Sequence, residues 1–521
     1  MLPGLVRVGF VLVREGVLSV IPLPDLPLSA RFLVRFARLF EKRTISTKST
    51  GERLSSALNR LGPSYIKLGQ FLAARPDLIG EDLALALSTL QDQVPSFSME
   101  EAKASVCAAL GKDVDDLFDS FSDPVAAASI AQVHKAEITD EAGVTQTLAI
   151  KILRPGIHQR FQKDLDGFYV VARFVEWLHP PIRRLKPVGV VDTLSRSMTF
   201  ELDLRLEAAA LSEIAENCQD DPDFRVPGVN WQRSSKTVLS MEWIDGYKVS
   251  DRQAIMDAGF DCDKLGELVI QSFLRQALRD GFFHADMHPG NLFIDHDGNL
   301  VPVDFGIMGR IGMTERRFLA EILYGFIIRD YDRVSRVHFD AGYIPAHQNI
   351  GTFAQALRSI GEPLQGRPAS EISMGGLLSQ LFEFTEVFEM QTRTELIMLQ
   401  KTMVVVEGVG RLLNPELNMW TAAEPVVRDW IEKNVGPAAK IRQALNGVEG
   451  LISLGQHLPD LAARAQKLAI DFEDAGSQGM KLDPDTILAI GKAEARASRS
   501  GRVALWVIAG ALLVLVYQTL A

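Results

Sequence analysis

The stretch GFFHADMHPGNLFIDHDGNLVPVDFG, residues 281 to 306, decides how the whole chain is read. Asp286 stands five residues before Asn291, and Asp304 stands eighteen after Asp286. Between them, NLFIDHDGNLVPV reads as a strand, an Asp-Gly turn and a second strand. Such a hairpin carries Asn291 and Asp304 to the same end of a sheet, close enough to share divalent cations. Carboxylate and amide oxygens are the ligands that a hard ion such as magnesium prefers. Magnesium would bridge the phosphates of ATP, and Asp286 would act as base or orient a nucleophile. Each signal alone is weak, since Asp-Phe-Gly recurs by chance and an Asp-Gly hairpin usually means only a hairpin. His284 and His288 have the spacing of a helical metal pair, but Pro289-Gly290 follows at once. His284 therefore reads as a structural residue that packs and hydrogen-bonds the loop.

Three upstream segments add to the pattern. LAIKILRPG sets Lys151 at the end of an alternating apolar strand. It reads either as a snorkelling edge lysine or as a cation for the α- and β-phosphates, held by a carboxylate on a neighbouring helix. SMTFELDLRLEAAAL supplies that helix, and its spacing places Glu201, Asp203 and Glu207 roughly along one side. PVAAASIAQVHKA, with Ala126, Ala127, Ala128 and Ser129, occupies the place of a phosphate-covering loop between two strands. Alanine allows a fairly close backbone approach but denies the positive φ angles that glycine permits. A nucleotide would sit differently here.

At 521 residues the chain is too long for one core, and 47% apolar residues suffice for several. Its 55 basic and 66 acidic residues give a net charge of -11, which argues against general nucleic-acid binding. Cys107, Cys218 and Cys262 lie far apart without a CxxC, excluding a disulfide scaffold and a Cys-rich zinc site. The uncharged run VALWVIAGALLVLVYQTLA, Val503 to Ala521, makes about 30 Å of helix and reads as a membrane span rather than a buried terminal helix. Lys492, Arg496, Arg499 and Arg502 before it keep the preceding protein in the cytoplasm. The N-terminus shows no cleavable signal. SARFLVRFARLFEKR, with Arg31, Arg35, Arg38 and Lys42 on one face, reads as a membrane-surface helix or as a solvated helix packed on its own domain.

The order of alanine loop, AIK, helix glutamate, HADMHPGN and DFG is that of protein kinases. The spellings resemble the UbiB family of atypical kinases, also called AarF-domain kinases, which act in ubiquinone biosynthesis. Its hallmarks are KLGQ at Lys67 to Gln70 with LQDQVP after it, the alanine loop, and Glu201-Leu202-Asp203. The resemblance spans roughly residues 50 to 420. It implies an α+β, two-lobed kinase-like fold with a helical KxGQ extension, a helical C-terminal region and one C-terminal transmembrane helix.

By the same resemblance, Lys151 pairs with Glu207, Asp286 is the catalytic aspartate, and Asn291 and Asp304 hold magnesium. Lys67 and Gln70 fold over the site toward Glu201 and Asp203, enclosing it against protein substrates. MEWIDG, with Glu242 and Ile244, matches the hinge that binds adenine. No APE-like segment or obvious phosphosite follows DFG, so control by loop phosphorylation is not expected. The expected domains are surface helices at 1–45, the extension at 46–120 and the small lobe at 121–248. A large lobe at 249–425, a helical linker at 426–500 and the span at 501–521 follow.

The implied function is an ATPase or small-molecule phosphotransferase at the inner membrane, with its catalytic domain in the cytoplasm. Membrane lipid, isoprenoid quinone precursors and other quinone-biosynthesis proteins are the implied partners, with ATP and Mg2+ as cofactors. The alternatives are a true protein kinase and a lipid-binding pseudokinase scaffold.

Overall fold

Alternation in the first strands builds a four-stranded antiparallel sheet. Its order is β1 (Ser120–Ala127), β2 (Ala131–Thr139), β3 (Thr145–Leu153) and β4 (Val238–Glu242). In this computed structural model the described residues are 2–17, 49–73, 94–178, 186–364 and 394–436, with isolated positions at 79–87 and 384–390. The expected surface helix at 31–42, most of the helical linker and the membrane span lie outside them. No helix among the described residues is long and apolar enough to cross a membrane.

Successive β3 side chains leave on opposite faces. Leu148, Ile150 and Ile152 join Ala102 and Val106 in an outer core under helix Met99–Leu110. Ala149 and Leu153 enter the main core on the inner face, and Lys151 shares their parity. The outer helix starts from a capping box in which Ser98 and Glu101 satisfy each other's backbone N–H groups. β1 slips register around Pro124, which has no N–H to give the ladder.

The second lobe is mostly helical. β5 (Gly246–Lys248) leads into it, and the chain then runs through helices Arg252–Asp257 and Cys262–Leu274 and a π-helical stretch, Arg275–Asp280. Residues 251–280 thus hold three helical pieces. Gly259 takes a positive φ of 88°, and Asp261 caps the next helix by accepting from the Asp263 and Lys264 N–H groups. β6 (Phe282–His284), β7 (Leu292–Asp295), β8 (Leu300–Pro302) and β9 (Met308–Arg310) follow. β5, β7 and β8 form one small antiparallel sheet, and β6 pairs with β9.

The later helices are built into this lobe. Helix Cys262–Leu274 meets helix Thr394–Leu413 at a pair of glycines: a Cβ on Gly266 would lie 2.9 Å from the Gly410 carbonyl oxygen. Thr402 Oγ1 donates to the Ala285 carbonyl at 3.1 Å, and Trp430 Nε1 donates to the Leu278 carbonyl at 2.7 Å. Arg252 Nε donates to the Leu413 carbonyl at 2.7 Å. Helix Met419–Asn434 therefore crosses the expected lobe boundary at 425 and belongs to the large lobe.

Cys218 and Cys262 are buried and Cys107 is partly exposed. Burial pushes the Cys218 thiol up to about 12. Alkylation of the native protein, followed by mass spectrometry, should mark Cys107 well before Cys218, which should react only on unfolding. Equal rates would contradict this packing.

Candidate active site

β3 delivers Lys151 to the inner face, where its Nζ lies 2.6 Å from Glu207 Oε1 and 3.1 Å from Asp304 Oδ1. The Lys151 and Glu207 side chains are 12% and 6% exposed. Burial alone would lower the lysine pKa, but Asp304 and Glu207 hold it above the usual value. Burial raises the Glu207 carboxyl to about 7, against the pull of Lys151. Asp304 is more open, with 44% of its side chain exposed. The upward push of its burial is overcome by Lys151 and the Gly306 N–H, which hold it well below the ordinary carboxylate range.

The 292–302 hairpin forms as read, with Leu292 opposite Pro302 and the Val303 N–H on the Asn291 carbonyl at 2.9 Å. Asn291 and Asp304 therefore leave the same end of the sheet. Asn291 Nδ2 donates to the Asp286 carbonyl at 3.4 Å, which turns the amide oxygen away from that loop. The set fits magnesium: one carboxylate and one amide oxygen, both hard donors. Among the described residues no three His, Cys, Asp or Glu side chains cluster for a metal, so water and phosphate oxygens would complete the shell.

His284 is 1% exposed, and burial keeps its pKa low despite Asp286 and Asp304. Its Nδ1 accepts the Asp286 N–H at 3.1 Å, so the neutral ring carries its proton on Nε2. The ring packs on Phe305 at 5.1 Å. His288 Nδ1 accepts from the Gly290 N–H. Both histidines shape the loop, as expected for His284.

The carboxylates expected on one helix lie on two. Helix Pro187–Glu201 stops, Leu202 turns, and Asp203 caps helix Leu204–Asn217 by accepting the Arg205 N–H. A capping aspartate takes an extended conformation, which breaks the run between Glu201 and Glu207. Glu201 meets Lys67 at 2.7 Å, both side chains being 12% exposed. Asp203 spends its carboxylate on Arg205, at 2.9 Å from Nε and 2.6 Å from Nη2. Helix Pro63–Ala73 bears Lys67 and, half-buried nearly one turn on, Gln70. It is seated on helix Ile157–Leu178 by an edge-to-face contact of Tyr65 with Phe168 at 5.0 Å.

Ala126 and Ala127 end β1, and the Ala128 N–H closes the turn on the Ala131 carbonyl at 2.8 Å. Ser129 is fully buried. None of these four residues has a positive φ. At the hinge, the Glu242 side chain turns to the outer face. Its register partner Leu148 faces the outer core, and its carboxylate accepts from Arg225 Nη1 at 2.8 and 2.9 Å. The Ile244 side chain is buried. Sequence reasoning missed Val133, Ala149 and Met241. Val133 is paired with Lys151 and Ala149 with Met241, so all three share its face and form an apolar roof. The signal was parity counted from Lys151.

Comparisons with known proteins give the family. Residues 89–338 match the ABC1 atypical kinase-like domain, and residues 357–418 match the UbiB helical domain. A "Probable protein kinase UbiB" of Marinobacter nauticus is 37% identical over 467 residues, 88% of this chain and 84% of that protein. One of Aliivibrio fischeri is 40% identical over 403 residues, 76% of this chain and 74% of that protein. The solved Mycobacterium tuberculosis Rv3197–erythromycin complex aligns at a TM-score of 0.48 and 25% identity, covering 77% of this chain and 97% of that one. With kinase-type lobes, a paired β3 lysine and both domain matches in place, the chain belongs to the UbiB family of atypical kinases.

Proposed function

We propose that the protein binds Mg-ATP and either hydrolyses it or passes its phosphoryl group to a small or lipid-linked acceptor, in support of ubiquinone synthesis. Lys151, braced by Glu207, would hold the α- and β-phosphates, while Asn291 and Asp304 would hold the metal. Asp286 would orient the attacking hydroxyl or water and receive its proton. Magnesium, when bound, supplies charge neutralisation on the phosphates. The observation that carries the choice of acceptor is the partly buried Lys67–Glu201 contact at 2.7 Å. It holds the helical extension over ground that a peptide substrate would need. The relatives are named protein kinases, and that is the competing reading. Incubation with γ-labelled ATP and membranes separates the two: label should reach free phosphate or the lipid extract, and label found chiefly on proteins would refute the proposal.

Lys67→Ala should leave Glu201 partly buried without this cation and loosen the extension. Autophosphorylation or nucleotide selectivity should change, and quinone output should fall in a deletion strain carrying the variant. Unchanged values on all three measures would remove Lys67 from this role.

The proposed location is the inner membrane, with the catalytic domain in the cytoplasm. The uncharged tail would be the main anchor, and the basic 31–42 face a second contact with anionic lipid. Quinone precursors and other quinone-biosynthesis proteins would be the partners met there. Deleting residues 503–521 should move much of the protein to the soluble fraction. A truncated protein that stays wholly membrane-bound in high salt would show that the anchor lies elsewhere.

A further inference from the structure

We infer that Arg154 is a positioning residue that aims the alanine loop at the nucleotide phosphates from the opposite side of the sheet. The inference rests on the Mg-ATP reading above. A phosphate loop built on glycine reaches its shape through positive φ angles. Residues 126–129 have none, so their shape must be imposed from outside.

Arg154 directly follows β3, and its N–H donates to the Ile130 carbonyl at 2.8 Å. Its Nε and Nη2 both donate to one acceptor, the Ala128 carbonyl, at 3.1 and 2.8 Å. Nη2 also donates to the Val94 carbonyl at 3.2 Å, and the guanidinium lies 5.7 Å from the Phe97 ring centroid. Buried Gln132 ties down the same strap, residues 94–97, accepting from the Phe97 N–H at 2.9 Å and donating to its carbonyl at 3.4 Å. A third bond links Gln132 Nε2 to His134 Nε2 at 2.8 Å.

The side of the sheet follows from register. Gln132 pairs with Ile152, which faces the outer core with Phe97. Phe97 and the guanidinium near it therefore lie toward the outer face, while Val94 packs with Leu58 and Ile66, and the Ala128 carbonyl is turned toward the guanidinium. In a trans peptide the carbonyl and the following N–H point in opposite directions, and the chain has no cis bond among its described residues. Turning the Ala128 carbonyl outward turns the Ser129 N–H inward, to the face that carries Lys151. A single arginine thus fixes an amide direction that glycine-based loops reach through their own flexibility.

The test uses full-length Arg154→Ala and Arg154→Lys proteins, with calorimetry of Mg-ATP and of adenosine. Arg154→Ala should weaken Mg-ATP by about tenfold or more while adenosine stays within about twofold, and Arg154→Lys should fall between. Amide exchange without nucleotide should speed up at residues 126–131 and 94–97 in Arg154→Ala and remain at the wild-type rate in the large lobe. Equal losses for ATP and adenosine, or unchanged exchange at 126–131, would overturn the inference. Failure of the wild type to bind Mg-ATP would instead sink the reading beneath it, while the exchange measurement would still judge Arg154. If Arg154→Ala does not fold, Arg154→Lys carries the same comparison.

Discussion

Lys151→Met should destabilise the fold by about 3 kcal/mol, the low end of what breaking a buried ion pair costs. The substitution keeps the bulk of the side chain but strands Glu207, whose side chain is 6% exposed. Burial already raises that carboxyl from 4.5 to about 7 with the amine beside it. Without Lys151 it will rise further and take up a proton, which limits the loss. An acid whose folded pKa exceeds its unfolded value binds more protons when folded, so stability falls as pH rises between the two. The wild-type carboxyl already keeps its proton up to about pH 7, so the deficit of Lys151→Met should deepen as pH rises above about 7. Adding Glu207→Leu removes the stranded acid and should recover most of the stability and flatten this slope. Urea midpoints across pH would measure both. A double variant no more stable than the single one would show that Glu207 is not the stranded group.

Asp304→Asn should instead spare the fold and lose the ligand. The side chain is 44% exposed, and Lys151 keeps its shorter contact to Glu207. The melting temperature should stay near the wild-type value. Loss of a formal charge from a hard-ion site should weaken Mg-ATP by about 100-fold, or about 2.8 kcal/mol. With EDTA present the two proteins should bind ATP alike, since only the metal-dependent part is removed. Equal Mg-ATP affinity by calorimetry would take Asp304 out of the metal site.

The features legible in sequence were those written in short periods. β3 alternates, so Lys151 was visible as a polar intruder, and the Asp-Gly turn set the hairpin that brings Asn291 and Asp304 together. The break at Asp203 was harder to see. Helical periodicity runs on both sides of it, and an aspartate is unremarkable in a helix until its capping geometry is known. The direction of the Glu242 side chain depends on pairing with Leu148, a long-range register that local pattern does not contain. The end of the large lobe was hidden in another way. Pro425 lies inside helix Met419–Asn434, although proline ordinarily marks a helix end. Val133, Ala149 and Met241 look like plain core in sequence, because their place on the face of Lys151 depends on strand register.

The bonds from Thr402 to the Ala285 carbonyl and from Trp430 to the Leu278 carbonyl bear on how such proteins can be recombined. The Ala285 carbonyl, beside Asp286, takes its side-chain donor from chain more than a hundred residues downstream. The matched kinase-like segment, ending at residue 338, is therefore not a transplantable cassette. A chimera that takes its catalytic loop from one relative and its later helices from another would also have to match the glycine crossing of 266 with 410. Exchange between relatives should succeed when residues 249–436 travel as one block, and the helices after 338 are inherited with the chemistry rather than added to it.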